Sequence, residues 1–339
     1  MKLGIVSLWR DSLDAFIEEI ELAESLGIHL VGVGDSQSGY RELYVSLAVA
    51  ASHSRHTLLG PMVTNPITRH PSVTASAIGS IDRLSGGRAV LGLGTGGSAV
   101  WTAGRPPARV AELREYTVAV KDLLATGEAT FRDDAIQVQG LNRAVPIFVS
   151  AEGPRTLALA GGLADAVVLH SGTSPEAIRW CRDHIAAGAR AAGRNPGEIE
   201  IWMMLKAGVA DDRPSALAEV RAGLAGSASH ALRRGAAEKG VPPQLLGPVA
   251  ELIGRYDAAQ HGVTGSANAD LVESLGLTDF LAGYFGLVGT PADCAHTIDE
   301  LSSLGVDGIV CPASSANPLE LIERLGGEVL PLVNSRRPA

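Results

Sequence analysis

The chain has 339 residues, which is long for one domain but ordinary for a (β/α)8 barrel that carries insertions. Hydrophobic residues make up 46% of it and aromatic residues only 4%, so Ala, Val, Leu and Ile must build the core, as in parallel strands buried on both faces. The net charge of −9, without a block of Lys and Arg, argues against nucleic acid as a partner. No apolar run reaches the roughly 18 residues that span a bilayer, and the N-terminal apolar stretch is too short for a secretory signal. We therefore expect a cytoplasmic protein without a membrane partner.

The cysteines predict neither a disulfide nor a metal site. Cys181, Cys294 and Cys311 are odd in number and far apart, with no Cys or His at metal-ligand spacing. We expect each to be a small core residue.

In chain order, short apolar runs rich in β-branched residues alternate with segments of helical period, the pattern of repeated βα units. Asp11 or Ser12 is positioned to cap the first helix, and Gly27 to end it. The predicted strands cover 3–8, 29–35, 56–63, 88–94, 146–151, 164–170, 200–209 and 305–312. The predicted helices between them include 41–54, 72–84, 154–162 and 175–192, and a small β excursion is predicted at 129–139.

Eight such strands form either a closed barrel or an open doubly wound sheet. The dinucleotide-binding version of the open sheet needs a Gly-rich turn directly after the first strand, whereas SLWRDS follows here. The sequence therefore predicts a (β/α)8 TIM barrel, one domain over 1–339, with a helical insertion at 210–286 between strands seven and eight. We expect this insertion to cover the barrel mouth.

Ligand-binding residues of such a barrel follow the carboxyl ends of the strands. Asp35 and Ser36 come after the second strand, although either is also suited to capping the next helix. Arg69 and His70, in the loop after the third strand, are as well explained by a rigid structural turn. The fourth strand ends in GLGTGGS, where missing Cβ atoms allow a ring or phosphate to approach. The GxGxxG match there is weak because it does not follow the first strand.

Two later loops are suited to binding an anion. Pro154 stands at a predicted first helical position after SAEG, so free backbone amides and Arg155 are available to a phosphate. The next strand ends in HSGTSP, which offers hydroxyl groups and another helix start.

Together these residues resemble the bacterial luciferase-like superfamily, in the branch of methylenetetrahydromethanopterin reductase and coenzyme F420-dependent oxidoreductases. The matching stretches are GVGDSQ, GPMVTNPITRHPSVTASAIGSIDRLSGGRAVLGLGTG, FVSAEGPRTLALAGGLADAVVL and LVGTPADCAHTIDELSSLGVDGIV. They lie in the right order over most of the chain.

The resemblance implies a barrel that binds coenzyme F420 or FMN, with a cis peptide at Met62-Val63 behind the cofactor ring. The residues it places near the ring are Asp35, Ser36, Met62, Val63, Thr64, Gly94, Thr95 and Gly96. Those it places near the ribityl chain and phosphate are Ser150, Ala151, Glu152, Gly153, Pro154, Arg155, Ser171, Gly172 and Thr173. It also implies a homodimer packed through barrel helices.

The chain departs from its relatives at acid–base positions. The methanopterin reductases carry a Glu in the first strand, where this chain has Val6. Family sugar-phosphate dehydrogenases place a His after the strand-two Asp and a Glu in the strand-four loop, where this chain has Ser36 and Gly97. Deprotonation of an alcohol by those groups is therefore not expected.

The resemblance thus implies F420-dependent hydride transfer to or from a small organic substrate, with Asp35 and His261 as the candidate catalytic residues. Tyr256, Trp9 and Tyr40 are further candidates for lining the site, with ordinary packing as their alternative. One alternative function is an FMN-dependent monooxygenase that receives reduced flavin from a separate reductase. Another is a non-catalytic cofactor-binding barrel, and a metal-dependent hydrolase ranks lowest because the chain has no HxH pair.

Overall fold

The computed structural model describes residues 1–257, 260, 266–315 and 317–335. Its contacts divide the chain into two compact units. The first unit comprises Lys2–Val168 and Ile185–Glu200, and the second comprises Met1, Leu169–His184 and Ile201–Ala339.

Strands and helices alternate along most of the chain, as the apolar periodicity predicts. The strands are β1 (Lys2–Ser7), β2 (Leu30–Val33), β3 (Leu58–Pro61), β4 (Leu91–Leu93), β5 (Glu128–Phe131), β6 (Asp134–Gln137), β7 (Ile147–Ala151), β8 (Ala166–Leu169), β9 (Glu200–Met204), β10 (Lys206–Val209), β11 (Gly286–Gly289) and β12 (Gly308–Pro312). The helices are α1 (Leu13–Ser25), α2 (Leu43–Ser52), α3 (Pro71–Leu84), α4 (Ser98–Thr102), α5 (Val110–Thr126), α6 (Pro154–Leu163), α7 (Pro175–Ala191), α8 (Arg213–Ala231), α9 (Leu246–Arg255), α10 (Ala267–Ser274), α11 (Thr278–Phe285), α12 (Pro291–Ser303), α13 (Pro318–Glu323) and α14 (Leu330–Ser335), with a π-helical turn at Arg324–Val329 between the last two.

Eight of these strands form one sheet in the order β3-β2-β1-β12-β9-β8-β7-β4. Adjacent strands run parallel, with Gly4 opposite Leu30 and Leu91 opposite Ile147 in the first unit. Isolated parallel bridges also join β3 to β4 in that unit, one of them between Thr64 and Leu93. The predicted (β/α)8 barrel fold is confirmed.

The first unit shows why its elements begin and end where they do. Ser12 Oγ accepts a hydrogen bond from the Ala15 N–H and caps α1, and Gly27 follows that helix with φ 73°. The predicted excursion at 129–139 is the antiparallel hairpin β5-β6, whose turn holds Arg132 and Asp133 at positive φ. All three predictions are confirmed.

The prediction of one strand over 200–209 is wrong. The run contains two strands, β9 and β10, and only β9 joins the barrel sheet. Leu205 N–H still donates to the carbonyl of Val310, but from Lys206 onward the chain pairs instead with β11. The apolar period continues through the break, so it does not reveal the change of partner.

The predicted insertion is helical in its described part. Helices α8 to α11 lie between β10 and β11 and have an apolar core of their own in the second unit, which includes Leu224, Leu252, Leu281 and Phe285. That this segment covers the barrel mouth stays a prediction. The three cysteines are buried and form no disulfide, as expected. Among the described residues, none of the helices is both long and apolar enough to cross a membrane.

Candidate active site

Asp35, just beyond β2, is part of a buried ion pair in the first unit. Its side chain is only 4% exposed, and its Oδ2 accepts hydrogen bonds from Thr64 Oγ1 at 2.6 Å and Arg69 Nη1 at 2.8 Å. The second amino group of Arg69 donates to Glu42 Oε1 at 2.7 Å. A single guanidinium therefore joins the end of β2 to the start of α2.

The expectation that Asp35 or Ser36 caps the next helix is wrong. Glu42 caps α2, because its Oε2 accepts hydrogen bonds from the N–H groups of Tyr44 and Val45. Burial opposes ionisation of Glu42, but these bonds and Arg69 together lower its pKa. Ser36 is buried, with its Oγ 3.5 Å from that of Ser38.

The chain leaving β3 forms a bulge against β4. The Met62-Val63 peptide is cis, as the resemblance implies. Beyond it, Thr64 N–H donates to the carbonyl of Gly92, and Gly94 N–H donates to the carbonyl of Thr64. The bulge is therefore held on both sides by main-chain hydrogen bonds.

Glycines in β4 and in the loop after it allow this bulge to approach. A Cβ on Gly92 would lie well under 3.0 Å from the carbonyl oxygen of Pro61. One on Gly94 would lie 3.0 Å from a methyl group of Val63 and 3.6 Å from the Cβ of Ser150. Gly96 has φ 100°, which favours glycine, and the Thr95 carbonyl accepts from Ala108 N–H. The GxGxxG match thus reflects close main-chain packing and is no dinucleotide fingerprint.

The loop after β7 leads into the start of helix α6 at the predicted position. Gly153 is the N-cap residue of α6 and Pro154 its first residue, with no side chain capping the helix. Thr156 Oγ1 donates to the Gly153 carbonyl and accepts from its N–H. Arg155 is exposed and Glu152 half-buried, while Ser150 and Ala151 end β7.

The loop after β8 lies in the second unit and rests on Tyr284 of α11. Ser171 Oγ is buried and has no hydrogen-bond partner among the described residues. Gly172 has φ 100° and lies against the ring of Tyr284. Thr173 donates from both its N–H and its hydroxyl, to the carbonyls of Tyr284 and Gly283. Of the three predicted residues, Ser171 is the one whose hydroxyl is left for a ligand.

A cluster of basic groups, which we call the basic cluster, lies in the second unit: His170 follows β8, Lys206 begins β10, and His230 is on α8. Burial, together with the charges of Lys206 and His230, lowers the pKa of His170 to about 4. Burial likewise lowers the pKa values of Lys206 and His230. The Lys206 side chain lies along Gly223 of α8, the same helix that carries His230. Of these groups only His170 stood out in the sequence, because charged residues inside apolar runs have no periodic pattern.

The shift of His170 makes stability depend on pH in a defined direction. His170 has a pKa of about 6.5 in the unfolded chain and about 4 in the folded chain. Its contribution to the free energy of unfolding is therefore full above pH 6.5 and is lost as the pH falls through 4, because the unfolded chain takes up the proton first. Between pH 7.5 and 5 we expect wild-type protein to lose about 1 kcal/mol more unfolding free energy than His170→Gln, a value reduced for the partial exposure of the ring. Urea unfolding at both pH values measures this. The exposed His56→Gln variant is the control, and equal pH slopes for wild type and His170→Gln would contradict the assignment.

The remaining predicted site residues have contacts of their own or lie outside the described residues. His261 is outside them. Tyr256 directly follows α9, and burial raises its pKa. Trp9 stacks on Phe16 with ring centroids 5.7 Å apart, and Tyr40 lies beneath the guanidinium of Arg10.

With this geometry described, comparison with known proteins identifies the family. The model of the luciferase-like monooxygenase family matches residues 1–308. The chain belongs to this family. The relationship predicted from the sequence motifs is confirmed.

Among its relatives, the luciferase-like chain is 31% identical to 5,10-methylenetetrahydromethanopterin reductase of Methanolobus tindarius, over 97% of this chain and 100% of the relative. It is 28% identical to the enzyme of the same name from Archaeoglobus fulgidus, over 92% and 93%. The coenzyme F420-dependent tetrahydromethanopterin reductase structure from Methanopyrus kandleri superposes with a TM-score of 0.79 at 24% identity, covering 97% of this chain and 98% of that one. These relatives bear out the predicted branch, and the structural match confirms the barrel fold.

Proposed function

We propose that this luciferase-like protein is a coenzyme F420-dependent oxidoreductase that transfers a hydride between the deazaflavin and a small organic substrate. The observation that carries the proposal is the site where the bulge after β3 meets Gly94 after β4, which we call the cradle: Gly94 presents only main chain there, beside the side chains of Val63 and Ser150. Relatives named as F420-dependent dehydrogenases, which match 60% and 63% of this chain, support the choice of cofactor.

The residues fit such a cofactor in three respects. A side chain at Gly94 would press on Val63 and fill the cradle, so the glycine keeps room for a flat ring. In the second unit, the buried Ser171 hydroxyl lacks a partner, which is costly unless a ligand satisfies it. The start of α6 has no side-chain hydrogen bond from its N-cap residue, and such a helix start suits a phosphate.

We assign roles to the chain's residues accordingly. Asp35, Ser36, Met62, Val63, Thr64, Gly94, Thr95 and Gly96 face the ring in this proposal. Ser150, Ala151, Glu152, Gly153, Pro154 and Arg155 serve the ribityl chain and phosphate, and the resemblance adds Ser171, Gly172 and Thr173 of the second unit. Bound F420 supplies the carbon that gives or takes the hydride.

The proposed work of the protein is to bind, orient and exclude water. Asp35 is buried and paired with Arg69, so we assign it to orienting the ring and not to proton transfer. Ser36 and Gly97 stand where dehydrogenases of the family have acid–base groups, which favours substrates that need no strong base. His261 stays a candidate proton donor.

We further propose a cytoplasmic homodimer formed through barrel helices. Helix α2 is apolar on nearly every face, and Val45 on it is 54% exposed. Val73 on α3, which packs beside α2, is 52% exposed. Exposed aliphatic side chains on neighbouring helices are typical of a surface covered by a second copy.

The choice of cofactor is tested by fluorescence titration of the purified protein with three compounds. These are F420, FMN, and the ribityl deazaflavin fragment of F420 that lacks the phosphate and tail, which we call the riboside. We expect micromolar or tighter binding of F420, and at least tenfold weaker binding of the riboside because the helix-start amides lose their anion. Preference for FMN would instead support a monooxygenase that depends on a separate flavin reductase. Failure to bind any of the three would support a non-catalytic barrel.

A further inference from the structure

We propose that Arg69 is the positioning residue that fixes the orientation of Asp35 toward the cofactor ring. This inference rests on the proposed function, because it concerns the same site. Arg69 lies in the loop after β3, 34 positions along the chain from Asp35.

The geometry constrains Asp35 from one side. Both hydrogen bonds to the carboxylate, from Thr64 Oγ1 and Arg69 Nη1, end on Oδ2. Among the described residues, Oδ1 receives no hydrogen bond. One oxygen is thus held by protein while the other is left to accept a hydrogen bond from a ring N–H.

Arg69 is itself held in place. Its second amino group bonds Glu42, and its guanidinium lies 5.3 Å from the centre of the Tyr44 ring. The Glu42 carboxylate is in turn fixed by the N–H groups that start α2. Burial opposes the charge on Arg69, but the bonds to Asp35 and Glu42 raise its pKa, so it stays a cation. The orientation of Asp35 therefore depends on helix α2 through two intermediate side chains.

Charge balance explains why an arginine is needed. Asp35 is 4% exposed, and a buried carboxylate without a counter-ion is strongly destabilising. A planar guanidinium reaches both carboxylates at once with separate N–H groups, whereas a lysine ammonium acts as a point charge. Arg69→Lys is therefore expected to restore charge but not geometry.

A double-mutant cycle on the full-length protein tests the proposal, with Arg69→Gln, Asp35→Asn and the double variant. The first readout is F420 affinity by fluorescence. We expect Arg69→Gln to weaken binding about tenfold or more in the wild-type background and less than twofold in the Asp35→Asn background, because Arg69 acts through Asp35. The absorbance spectrum of saturating bound F420 should also differ between wild type and Arg69→Gln, which a loss of stability alone would not cause.

The second readout needs no cofactor. Thermal unfolding of the unliganded variants should show the double variant more stable than Arg69→Gln, because it no longer buries an unpaired carboxylate. Arg109→Gln, which removes an 82% exposed arginine from a pair with Glu112, is the control and should bind F420 as wild type does. The inference would be overturned, and the proposed function would stand, if Arg69→Gln bound F420 as well as wild type does. Additive effects of the two substitutions in the cycle would have the same meaning. Wild type that does not bind F420 would overturn the proposed function and the inference with it.

Discussion

Gly92→Ala is expected to destabilise the protein by about 3 kcal/mol and to reduce F420 affinity at least tenfold. The new Cβ would collide with the carbonyl oxygen of Pro61 and approach a Val63 methyl group to 2.9 Å. A backbone carbonyl cannot rotate away as a flexible side chain does, so the bulge after β3 and strand β4 must separate. This separation would also break the main-chain hydrogen bond from Thr64 N–H to the Gly92 carbonyl.

Denaturant unfolding with linear extrapolation measures the change in stability. Gly162→Ala in α6 is the matched control, because its Cβ would meet only ordinary contacts, 3.5 Å from the Ala192 Cβ. There we expect an unchanged free energy of unfolding or a gain of up to about 1 kcal/mol from helix propensity. If Gly92→Ala were as stable as wild type, a glycine at this position would not be required for the packing of β4 against the bulge.

Gly92 also shows how much of the structure could be predicted from the sequence. The missing side chains of GLGTGGS predicted that a ring or phosphate approaches this backbone, and that stays a prediction, whereas the structure shows an approach by the protein itself at Gly92. What approaches Gly92 is the carbonyl of Pro61 in the neighbouring strand, which no local pattern identifies. Glycine spacing indicates that a side chain would not fit at these positions, but it does not identify the neighbouring group that leaves no room.

Apolar periodicity predicted the eight barrel strands because a strand buried on both faces needs apolar residues throughout, and such a run is visible in the local sequence. It failed at Lys206, where β10 leaves the barrel to pair with β11. The partner begins at Gly286, and the composition of the run 200–209 carries no trace of it. Pairing between distant segments is decided by tertiary structure, not by local propensity.

The candidate site shows the same limit for side chains. Asp35 stays a predicted residue of the barrel mouth, and local preference also favoured it as a helix cap. Its pairing with Arg69 removes it from that role, and Glu42 caps α2 instead. The available sign was that charged residues, among them Asp35 and Arg69, stand in the loops after two neighbouring strands, and such a sign does not specify which residues pair.

Gly172→Ala is expected to lower the free energy of unfolding by about 3 kcal/mol, through backbone strain and a ring contact instead of a clash with a neighbouring strand. Gly172 has φ 100°, which an L side chain rarely adopts, and its Cβ would overlap the ring of Tyr284. If the ring moves, its hydroxyl gives up hydrogen bonds to the carbonyls of Lys239 and Ser171. Each lost bond in a buried setting adds about 1 kcal/mol.

Ser171→Ala in the same loop separates structure from binding. Its hydroxyl is buried without a partner among the described residues, so removing it should leave the unfolding free energy unchanged or slightly higher. The same variant should bind F420 several-fold more weakly if that hydroxyl contacts the cofactor. Denaturant unfolding and fluorescence titration of both variants measure the two effects. A Ser171→Ala protein that loses stability but keeps its F420 affinity would show that the loop serves only the fold, because the hydroxyl would then have a structural partner and no ligand.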